Sequence, residues 1–592
     1  MQPNEKYSFS QQRPWEKFYK REHLDLPIPE CSVYRFLRDF NGKWPEVDAL
    51  SYFDRKITFG ELFDDIDKAA SVFAKNGVRD GDIVSLCALT TPETVTVFYA
   101  LNKLGAVSNF IEPRTNSGRI CAHINNVHSR VLIVMDAFVG KINEILSQLP
   151  EVEQIIILPL SRSMPLATRI GFGLTKGRQL PRPAKDPRYI GWEKYLKSYD
   201  GSAAPEPPYE KDHPAVIIYT GGTTGVPKGA VLSNDCFVAL SIEILGSGIE
   251  YEPGETFLNI MPPFIAYGIC GGLNMHLSIG LTNILIPAFK PEDFCDYILK
   301  YRPNHLMGVP AFFEKMADDP RFEGADLSFI HDAATGGDFM SEGTEKKINE
   351  FFRAHNNPHY VLRGYGMTEL GSVASMSSDA AVGPGSVGIP MSKTVFTVRD
   401  PDTREELPPN TQGELYCATP AMMLGYYNNP EEEKKVFWTD DKGTRWVRTG
   451  DIGYMDEEGF VYLVGRLKRM IVRPDGHNTW PSQMEDMASK FEGVKEVVVV
   501  GLKNPDGEHG RLPTAFIIPT EERLRTEEFL VSLRTYMEKN LPGRDVPFAY
   551  RFIDKMPLTS IGKVDYRLLE EIPYEGNTAC FIDHIMKNLD QI

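Results

Sequence analysis

A loop rich in glycine and threonine constrains this chain more than any other stretch. It runs Tyr219-Thr-Gly-Gly-Thr-Thr-Gly-Val-Pro-Lys-Gly-Ala-Val-Leu-Ser233 and follows the apolar run Ala215–Ile218, which is typical of a buried strand. Glycine lets backbone N–H groups come close to phosphate oxygens because it has no Cβ, and threonine hydroxyls and a lysine add donors. The predicted phosphate-binding residues are Thr220, Gly221, Gly222, Thr223, Thr224, Gly225 and Lys228.

The loop is not a Walker A motif, since Pro227 precedes Lys228 and no Gly-Lys-Ser/Thr follows. It resembles the adenylate-forming (AMP-binding) superfamily, and within it the acyl-CoA synthetase or carboxylate–CoA ligase branch. In that family the loop ends Thr-Gly-x-Pro-Lys-Gly and grips the β- and γ-phosphates of ATP. The alternative is a flexible surface turn.

Two later segments match the family's nucleotide motifs in the expected order. The resemblance places His331-Asp-Ala-Ala-Thr-Gly-Gly-Asp338 against adenine, although Asp338 stands where the family usually has alanine. In Arg363-Gly-Tyr-Gly-Met-Thr-Glu369, Tyr365 offers a flat face to the purine and Thr368 a hydroxyl to a phosphate. Glu369 is the predicted metal ligand, because a carboxylate oxygen suits Mg²⁺. The residues implied on the adenine side are Gly336, Gly337, Asp338, Gly364, Tyr365 and Gly366.

Asp451, in Arg448-Thr-Gly-Asp451, matches the aspartate that accepts hydrogen bonds from both ribose hydroxyls in the family. Arg466 is implied to reach ribose and phosphate, and Lys468 matches the hinge about which a small domain rotates. Further along, Gly476 matches the glycine that lets the pantetheine arm of coenzyme A pass, and Asn478 matches a polar position facing the nucleotide.

Lys563, in Pro557-Leu-Thr-Ser-Ile-Gly-Lys563, matches a lysine that contacts the substrate carboxylate and the α-phosphate during adenylation. Its charge offsets the repulsion between two anions. The resemblance therefore implies four catalytic residues, which are Lys228, Thr368, Glu369 and Lys563.

The acyl pocket is expected after Ile260-Met-Pro-Pro-Phe, where Ile265 replaces a histidine that is typical of the family. Apolar and small residues here favour a hydrophobic acid. The glycines have two interpretations, space for a bulky substrate or close helix packing. The predicted pocket residues are Ile265, Tyr267, Gly268, Gly271, Gly272, Met275 and Thr335.

Alternation of strands and helices predicts an α/β fold with a mostly parallel sheet, and the length of 592 residues indicates more than one domain. The resemblance implies a large multi-sheet N-terminal domain and a small mobile α+β C-terminal domain. We expect a leader segment at 1–50, the ATP- and acyl-binding domain at 51–467 and the small domain at 468–592. Residues from about 160 to 213 break the alternation and indicate either a solvated insertion or a basic contact with an anionic membrane surface or partner.

Composition excludes some classes of function. The formal net charge of -17 argues against general nucleic-acid binding. The chain has no run of 18 apolar residues, so no membrane-spanning helix is predicted. The N-terminus has no apolar signal core, and the eight cysteines show no metal-ligand spacing, so we expect reduced thiols and a cytoplasmic location.

The resemblance implies an ATP-dependent acyl-CoA synthetase that uses ATP, Mg²⁺ and coenzyme A on a small carboxylic acid. The identity of the acid and the oligomeric state stay open. Three alternatives remain, which are an enzyme that loads a carrier protein, luciferase-like oxidation of an adenylate, and a non-catalytic nucleotide-binding regulator.

Overall fold

The computed structural model describes residues 8–220, 228–474, 477–503, 510–557 and 564–572. Within these residues the strands are β1 Asp48–Tyr52, β2 Arg55–Thr58, β3 Ile83–Cys87, β4 Val107–Phe110, β5 Val131–Met135, β6 Gln154–Leu158, β7 Tyr189–Gly191, β8 Pro214–Thr220, β9 Lys228–Ser233, β10 Thr256–Asn259, β11 Thr282–Leu285, β12 His305–Gly308, β13 Asp332–Thr335, β14 Leu362–Gly366, β15 Val373–Met376, β16 Ile389–Pro390, β17 Val395–Arg399, β18 Gly413–Ala418, β19 Gly425–Tyr426, β20 Phe437–Thr439, β21 Arg445–Met455, β22 Val461–Arg466, β23 Ile471–Val472, β24 Asn478–Thr479, β25 Val494–Lys503, β26 Arg511–Pro519 and β27 Ala549–Phe552.

The α-helices of the same residues are α1 Phe9–Gln12, α2 Arg21–Leu24, α3 Val33–Asn41, α4 Phe59–Lys75, α5 Pro92–Lys103, α6 Ser117–Asn126, α7 Val139–Ile145, α8 Leu166–Leu174, α9 Trp192–Leu196, α10 Asn234–Leu245, α11 His276–Ser278, α12 Phe294–Tyr301, α13 Pro310–Ala317, α14 Glu342–Ala354, α15 Pro430–Val436, α16 Pro481–Ser489, α17 Glu527–Asn540 and α18 Tyr566–Glu570. A π-helix, Tyr267–Met275, precedes α11. Among the described helices, none combines the length and the apolar character needed to cross a bilayer.

Two large sheets form the body of the protein. One has eight strands in the order β19-β9-β8-β4-β3-β5-β6-β7, and the other has nine in the order β16-β15-β14-β13-β12-β10-β11-β1-β2. Neighbours from β8 through β7 pair in parallel, as do those from β14 through β1. Parallel pairing requires crossover helices that cover the sheet, which is why strands and helices alternate along the chain.

Three smaller sheets follow, one of them the two-stranded sheet of β23 and β24. A five-stranded antiparallel sheet contains β17, β18, β20, β21 and β22, and the C-terminal part of the chain forms a three-stranded sheet in the order β25-β26-β27 beside α16 and α17. The predicted α/β class, with large N-terminal sheets and a smaller α+β part, is confirmed. The boundaries at 50 and 467, and the mobility of the small domain, stay predictions.

Helix α4 shows how the sequence specifies these elements. Thr58 caps its N-terminus by accepting from the backbone N–H of Glu61, whose side chain accepts from the backbone N–H of Thr58. Leu62, Ile66 and Phe73 lie at helical spacing and are buried, as the pattern predicts. This face joins the apolar core that lies between α4, α5 and the eight-stranded sheet.

Residues 8–49 pack onto the body of the protein. Trp15 is buried, and a Cβ added at Gly459 would lie 2.9 Å from its ring. The predicted break at 160–213 is wrong over residues 189–196. There β7 pairs with β6, and Trp192 and Tyr195 are buried against Phe73, so this part belongs to the core.

Candidate nucleotide and acyl site

The ends of the loop that is predicted to bind phosphate lie side by side in an antiparallel hairpin. Strand β8 ends at Thr220, which pairs with Lys228 at the start of β9. Gly221, Gly222, Thr223, Thr224 and Gly225 lie outside the described residues. The hairpin therefore brings Thr220 and Lys228 to the same point, at the carboxyl end of a strand that lies inside a mostly parallel sheet, where ligands of such sheets bind.

Lys228 is held by two residues that the sequence did not suggest. Its ammonium donates a hydrogen bond to the carboxylate of Glu432 on α15, and it lies 5.1 Å from the ring centroid of Tyr426. Hydrogen bonds from Lys228 and Lys435 lower the pKa of Glu432 to about 2. The loop lysine is therefore partly neutralised in this conformation, and Glu432 competes with any phosphate for it.

Tyr426 also contacts the predicted metal ligand. Its hydroxyl donates a 2.6 Å hydrogen bond to Oε1 of Glu369, which is buried in the short turn after β14. Burial and the nearby Glu369 carboxylate raise the pKa of Tyr426. One tyrosine thus connects the phosphate-loop lysine and Glu369, while Thr368, the residue before Glu369, is half-buried.

Asp451 connects β21 to the nine-stranded sheet. Its Oδ2 accepts a 2.6 Å hydrogen bond from the hydroxyl of Tyr365, and its Oδ1 lies 3.0 Å from Nε of Arg466, its pairing partner on β22. The Thr449 hydroxyl accepts from the backbone N–H of Asp451. A carboxylate has about four lone-pair sites, so both oxygens keep acceptor capacity for a pair of hydroxyl groups.

The ends of β13 and β14 meet closely at the predicted adenine side. A Cβ at Gly336 would lie 2.9 Å from the carbonyl oxygen of Gly364, and one at Gly366 would lie 1.6 Å from that of Ser372. Gly337 has φ +79°, in the left-handed region that favours glycine. Asp338 is exposed and accepts from the backbone N–H of Phe339.

Thr335, at the end of β13, has a buried hydroxyl group that is unusual in its lack of a hydrogen-bond partner within the described part of the chain. Its hydroxyl oxygen is buried and finds no hydrogen-bond partner among the described residues. Buried polar atoms are rarely left unpaired in proteins, so this atom fits a site that receives a polar ligand group. It lies at the carboxyl edge of the nine-stranded sheet, where parallel sheets bind ligands.

The predicted pocket residues lie on or beside the π-helix, whose first residue reaches the same sheet edge. The Tyr267 hydroxyl donates a 3.0 Å hydrogen bond to the carbonyl of Gly308 at the end of β12. Ile265 is half-buried, and Met275 is buried. A Cβ at Gly268 would lie 1.8 Å from the carbonyl oxygen of Pro262, so this glycine is required by close backbone approach.

Gly271 and Gly272 face Met307 of β12. A Cβ at Gly271 would lie 2.9 Å from Ser372 Oγ and 3.7 Å from Met307 Cε, and one at Gly272 would lie 3.4 Å from Met307 Cε. In this conformation both glycines allow close packing against a flexible thioether side chain. Met307 and Ser372 lie beside these glycines, and sequence reasoning missed them because nothing near them in the chain marks a pocket.

The C-terminal candidates are only partly described. Lys468 is exposed in the turn after β22, and Asn478 lies on β24, where it pairs with Val472. Gly476 and Lys563 lie outside the described residues. The structure thus brings together Lys228 and Glu369 through Tyr426, and Tyr365 with Asp451 and Arg466.

Comparisons with known proteins give the family of the chain. Residues 37–427 match the profile of a family described as AMP-binding enzyme, and residues 483–563 match AMP-binding enzyme C-terminal domain. The chain is 28% identical over 567 residues to a long-chain-fatty-acid–CoA ligase of Bacillus subtilis strain 168, covering 95% of this chain and 98% of that one.

It is 26% identical over 525 residues to a probable 4-coumarate–CoA ligase 1 of Dictyostelium discoideum, covering 87% and 91% of the two chains. Among solved structures, ATP-bound MatB from Rhodopseudomonas palustris has a similar fold, with TM-score 0.76 and 23% identity over 91% of this chain and 99% of that one.

Proposed function

Because the chain belongs to the family of AMP-binding enzymes, we propose that it joins a hydrophobic carboxylic acid to coenzyme A at the expense of ATP. The enzyme class is acid–thiol ligase. ATP and coenzyme A are the co-substrates, and Mg²⁺ is the cofactor. The observation that carries the proposal is the link from Lys228 through Tyr426 to Glu369, which groups a phosphate-binding cation with a carboxylate.

In the first half-reaction, an oxygen of the substrate carboxylate attacks the α-phosphorus of ATP, the bond to pyrophosphate breaks, and an acyl-adenylate forms. Lys228 binds the phosphates, with Thr220 and the loop glycines and threonines supplying further donors. Lys563 offsets the repulsion between carboxylate and phosphate. These residues position the reactants and stabilise charge, so no side-chain nucleophile is needed.

Asp451 and Arg466 hold the ribose, Tyr365 and the segment Gly336–Asp338 hold adenine, and the Thr368 hydroxyl holds a phosphate. Glu369 fits Mg²⁺, since its carboxylate supplies hard oxygen and this ion keeps water and phosphate oxygens as its other ligands. When bound, the ion neutralises phosphate charge. Tyr426 orients Glu369 through its hydrogen bond, so the carboxylate is preorganised.

In the second half-reaction the thiol sulfur of coenzyme A attacks the acyl carbonyl, and AMP leaves. Rotation about Lys468 removes Lys563 from the site and brings in Gly476 and Asn478, a hinge movement of the kind that often limits turnover. The hydrophobic character of the acid is supported by the apolar wall that Gly271, Gly272 and Met307 form.

The test is an acid panel assayed for AMP release with and without coenzyme A. Fatty acids and aryl acids should release AMP at high rates only when coenzyme A is present, with the acyl thioester as product. Dicarboxylic acids and amino acids should react poorly, because no charged side chain lies among Ile265, Tyr267, Met275 and Met307. Turnover with a carrier protein but not with free coenzyme A would overturn the choice of acceptor.

The variant Lys563→Ala separates the half-reactions. Adenylation should fall by ~10²-fold or more, the loss that follows removal of one preorganised charge-stabilising group. Thioester formation from supplied acyl-adenylate should stay near the wild-type rate, and Lys555→Ala provides the matched control. An equal loss in both half-reactions would contradict the two-conformation mechanism.

A further inference from the structure

Helix α8 presents apolar side chains to solvent. The three most exposed large apolar residues in the described part of the chain all lie on it, with Leu166 at 64%, Leu174 at 58% and Ile170 at 55% exposure. They are four residues apart, so they form a stripe about 80° wide along one side of the helix. Phe172 lies roughly opposite that stripe and packs against the core, which fixes the stripe outward.

The same segment is basic throughout. Residues 154–185 contain no aspartate or glutamate, whereas the whole chain has a net charge of -17. Their lysines and arginines are Arg162, Arg169, Lys176, Arg178, Arg182 and Lys185. Arg162 pairs with Glu93 and Glu193, but the other five are exposed and make no ion pair with any acidic residue that the structure describes.

The segment is anchored to the protein body near its C-terminal end, at residues 181–184. Asn143 of α7 donates to the carbonyl of Arg182, and its Oδ1 accepts from the backbone N–H of Ala184. A Cβ at Gly140 of α7 would lie 3.2 Å from Pro181. The outward apolar stripe is therefore presented by an attached element that lies in the chain between β6 and the edge strand β7 of the eight-stranded sheet.

We propose that α8 and the basic turn after it form a docking surface for an anionic lipid membrane. An apolar stripe flanked by unpaired cations matches the boundary between acyl chains and acidic headgroups. A helix of nine residues is too short to supply the ~800 Å² per partner of a stable protein interface, whereas it suffices for insertion at a lipid surface.

This inference goes beyond the proposed function and does not depend on it. It assigns a binding surface to residues that take no part in the nucleotide site. A membrane-docked enzyme would draw a hydrophobic acid from the bilayer, in which such acids are concentrated, but vesicle binding is measured without any substrate. Failure of the docking surface and failure of the ligase activity are therefore separate results.

The experiment is vesicle flotation of the full chain with phosphatidylcholine vesicles and with vesicles of equal parts phosphatidylcholine and phosphatidylglycerol. We expect binding to the anionic vesicles only, and weaker binding as salt rises. Ile170→Ser/Leu174→Ser should lower the partition coefficient by roughly tenfold or more, since it removes the inserted side chains. Leu299→Ser/Val531→Ser removes exposed apolar groups elsewhere and should bind as the wild type does.

A second variant, Arg169→Gln/Lys176→Gln/Arg178→Gln, leaves the apolar stripe intact. Its partition coefficient on anionic vesicles should fall about fivefold for each charge removed, and its binding should depend less steeply on salt. The proposal is overturned if wild-type protein does not float with anionic vesicles, or if the Ile170/Leu174 variant floats equally well. A third result also overturns it. If neither protein binds vesicles, and the wild type is a dimer whereas the Ile170/Leu174 variant is a monomer, then a second copy of the chain covers the helix.

Discussion

The hydroxyl of Tyr365 donates a 2.6 Å hydrogen bond to the buried carboxylate of Asp451. The two residues come from different sheets and are 86 positions apart in the chain. Their contact connects β14, which carries residues proposed for the adenine side, to β21, which carries the aspartate proposed to bind ribose. We infer that it positions Asp451 before the nucleotide binds.

Tyr365→Phe tests this positioning while keeping a flat aromatic face. Loss of a hydrogen bond to a charged group costs about 1.5–3 kcal/mol, so kcat/KM for ATP should fall by ~10- to 100-fold. Steady-state kinetics at saturating acid measure the effect, with Tyr454→Phe as the control because Tyr454 stacks on Tyr462 instead. A loss of thermal stability with unchanged kcat/KM for ATP would show that the bond is purely structural.

Glu432 accepts a hydrogen bond from Lys228, the lysine proposed to bind phosphate, so we expect Glu432→Gln to tighten nucleotide binding. Removing one partly exposed carboxylate from the lysine should lower the Kd for ATP by about fivefold, the size of a pair interaction worth ~1 kcal/mol. Calorimetric titration with a non-hydrolysable ATP analogue measures it. The neighbouring Glu431→Gln is the matched control, because Glu431 pairs with Lys434 instead.

The outcome that contradicts this idea is weaker binding by Glu432→Gln. In that case Glu432 would orient Lys228 toward the phosphates rather than compete with them. In a Lys228→Met background, Glu432→Gln should leave the Kd for ATP unchanged in either case, since both effects act through the ammonium group. The double-mutant comparison therefore decides whether the coupling runs through Lys228.

The buried His305 begins the central strand β12, at the end of the nine-stranded sheet opposite the candidate site. It predicts an effect of pH on stability. His305 Nδ1 lies 2.5 Å from Asp332 Oδ2, and its Nε2 lies 3.0 Å from Glu255 Oε2. Burial lowers the pKa of His305, but the carboxylates of Asp332 and Glu255 outweigh it and raise the pKa from 6.5 to about 9. The ring of Tyr251 lies 5.0 Å from that of His305, and His331 Nδ1 lies 2.6 Å from Glu255 Oε1.

Because the folded pKa lies above the unfolded value, protonation of His305 stabilises the fold fully below pH 6.5, and this contribution is lost as the pH rises through about 9. The loss amounts to roughly 3 kcal/mol at most. We expect the Tm of wild type to fall between pH 6.5 and 9.5 more steeply than that of His305→Gln. His276→Gln is the control, since burial lowers the pKa of His276 to about 4, outside this window.

Parallel slopes for wild type and His305→Gln would contradict the prediction. A chelator should leave both slopes unchanged, which matters because ligand atoms of Glu255, His305 and His331 lie within 4.8 Å of one another. A Tm that falls on chelation would mean that a metal ion, rather than a proton, bridges these groups.

Local patterns predicted much of the fold. The apolar run before the glycine-rich loop became β8, and the helical spacing of Leu62, Ile66 and Phe73 became the buried face of α4. These features depend on neighbours within a few positions, so the sequence carries them directly. The edge strand β7 was missed because three residues beside a basic segment have too little periodicity to register.

The contacts within the site were harder to predict. Lys228 and Glu432 are 204 positions apart, and Tyr426 reaches both Lys228 and Glu369 only because β19 pairs with β9. Nothing in the Gly-Tyr-Tyr segment around Tyr426 marks it as a bridge, since an aromatic residue between turns is usually a packing residue. Long-range pairing of this kind is set by tertiary structure rather than by local sequence.

The last prediction concerns the length of the acid. Met307 faces both Gly271 and Gly272, so its flexible side chain is the part of the wall that can be shortened without disturbing the backbone. Met307→Ala should raise kcat/KM for long acids relative to short ones by roughly tenfold. This is the size expected when the pocket gains room for a few methylene groups of the substrate. Gly272→Ala should shift the preference the other way, because its Cβ would lie 3.4 Å from Met307 Cε.

The measurement is kcat/KM over a chain-length series for wild type and both variants. Met316→Ala is the control for a lost core methionine, since Met316 is fully buried on α13 and lies in the same apolar cluster. It should lower stability and leave the chain-length profile unchanged. If Met307→Ala alters all acids equally, or if Gly272→Ala moves the optimum toward longer acids, the wall formed by the π-helix and β12 does not line the acyl pocket, and the glycines serve close packing alone.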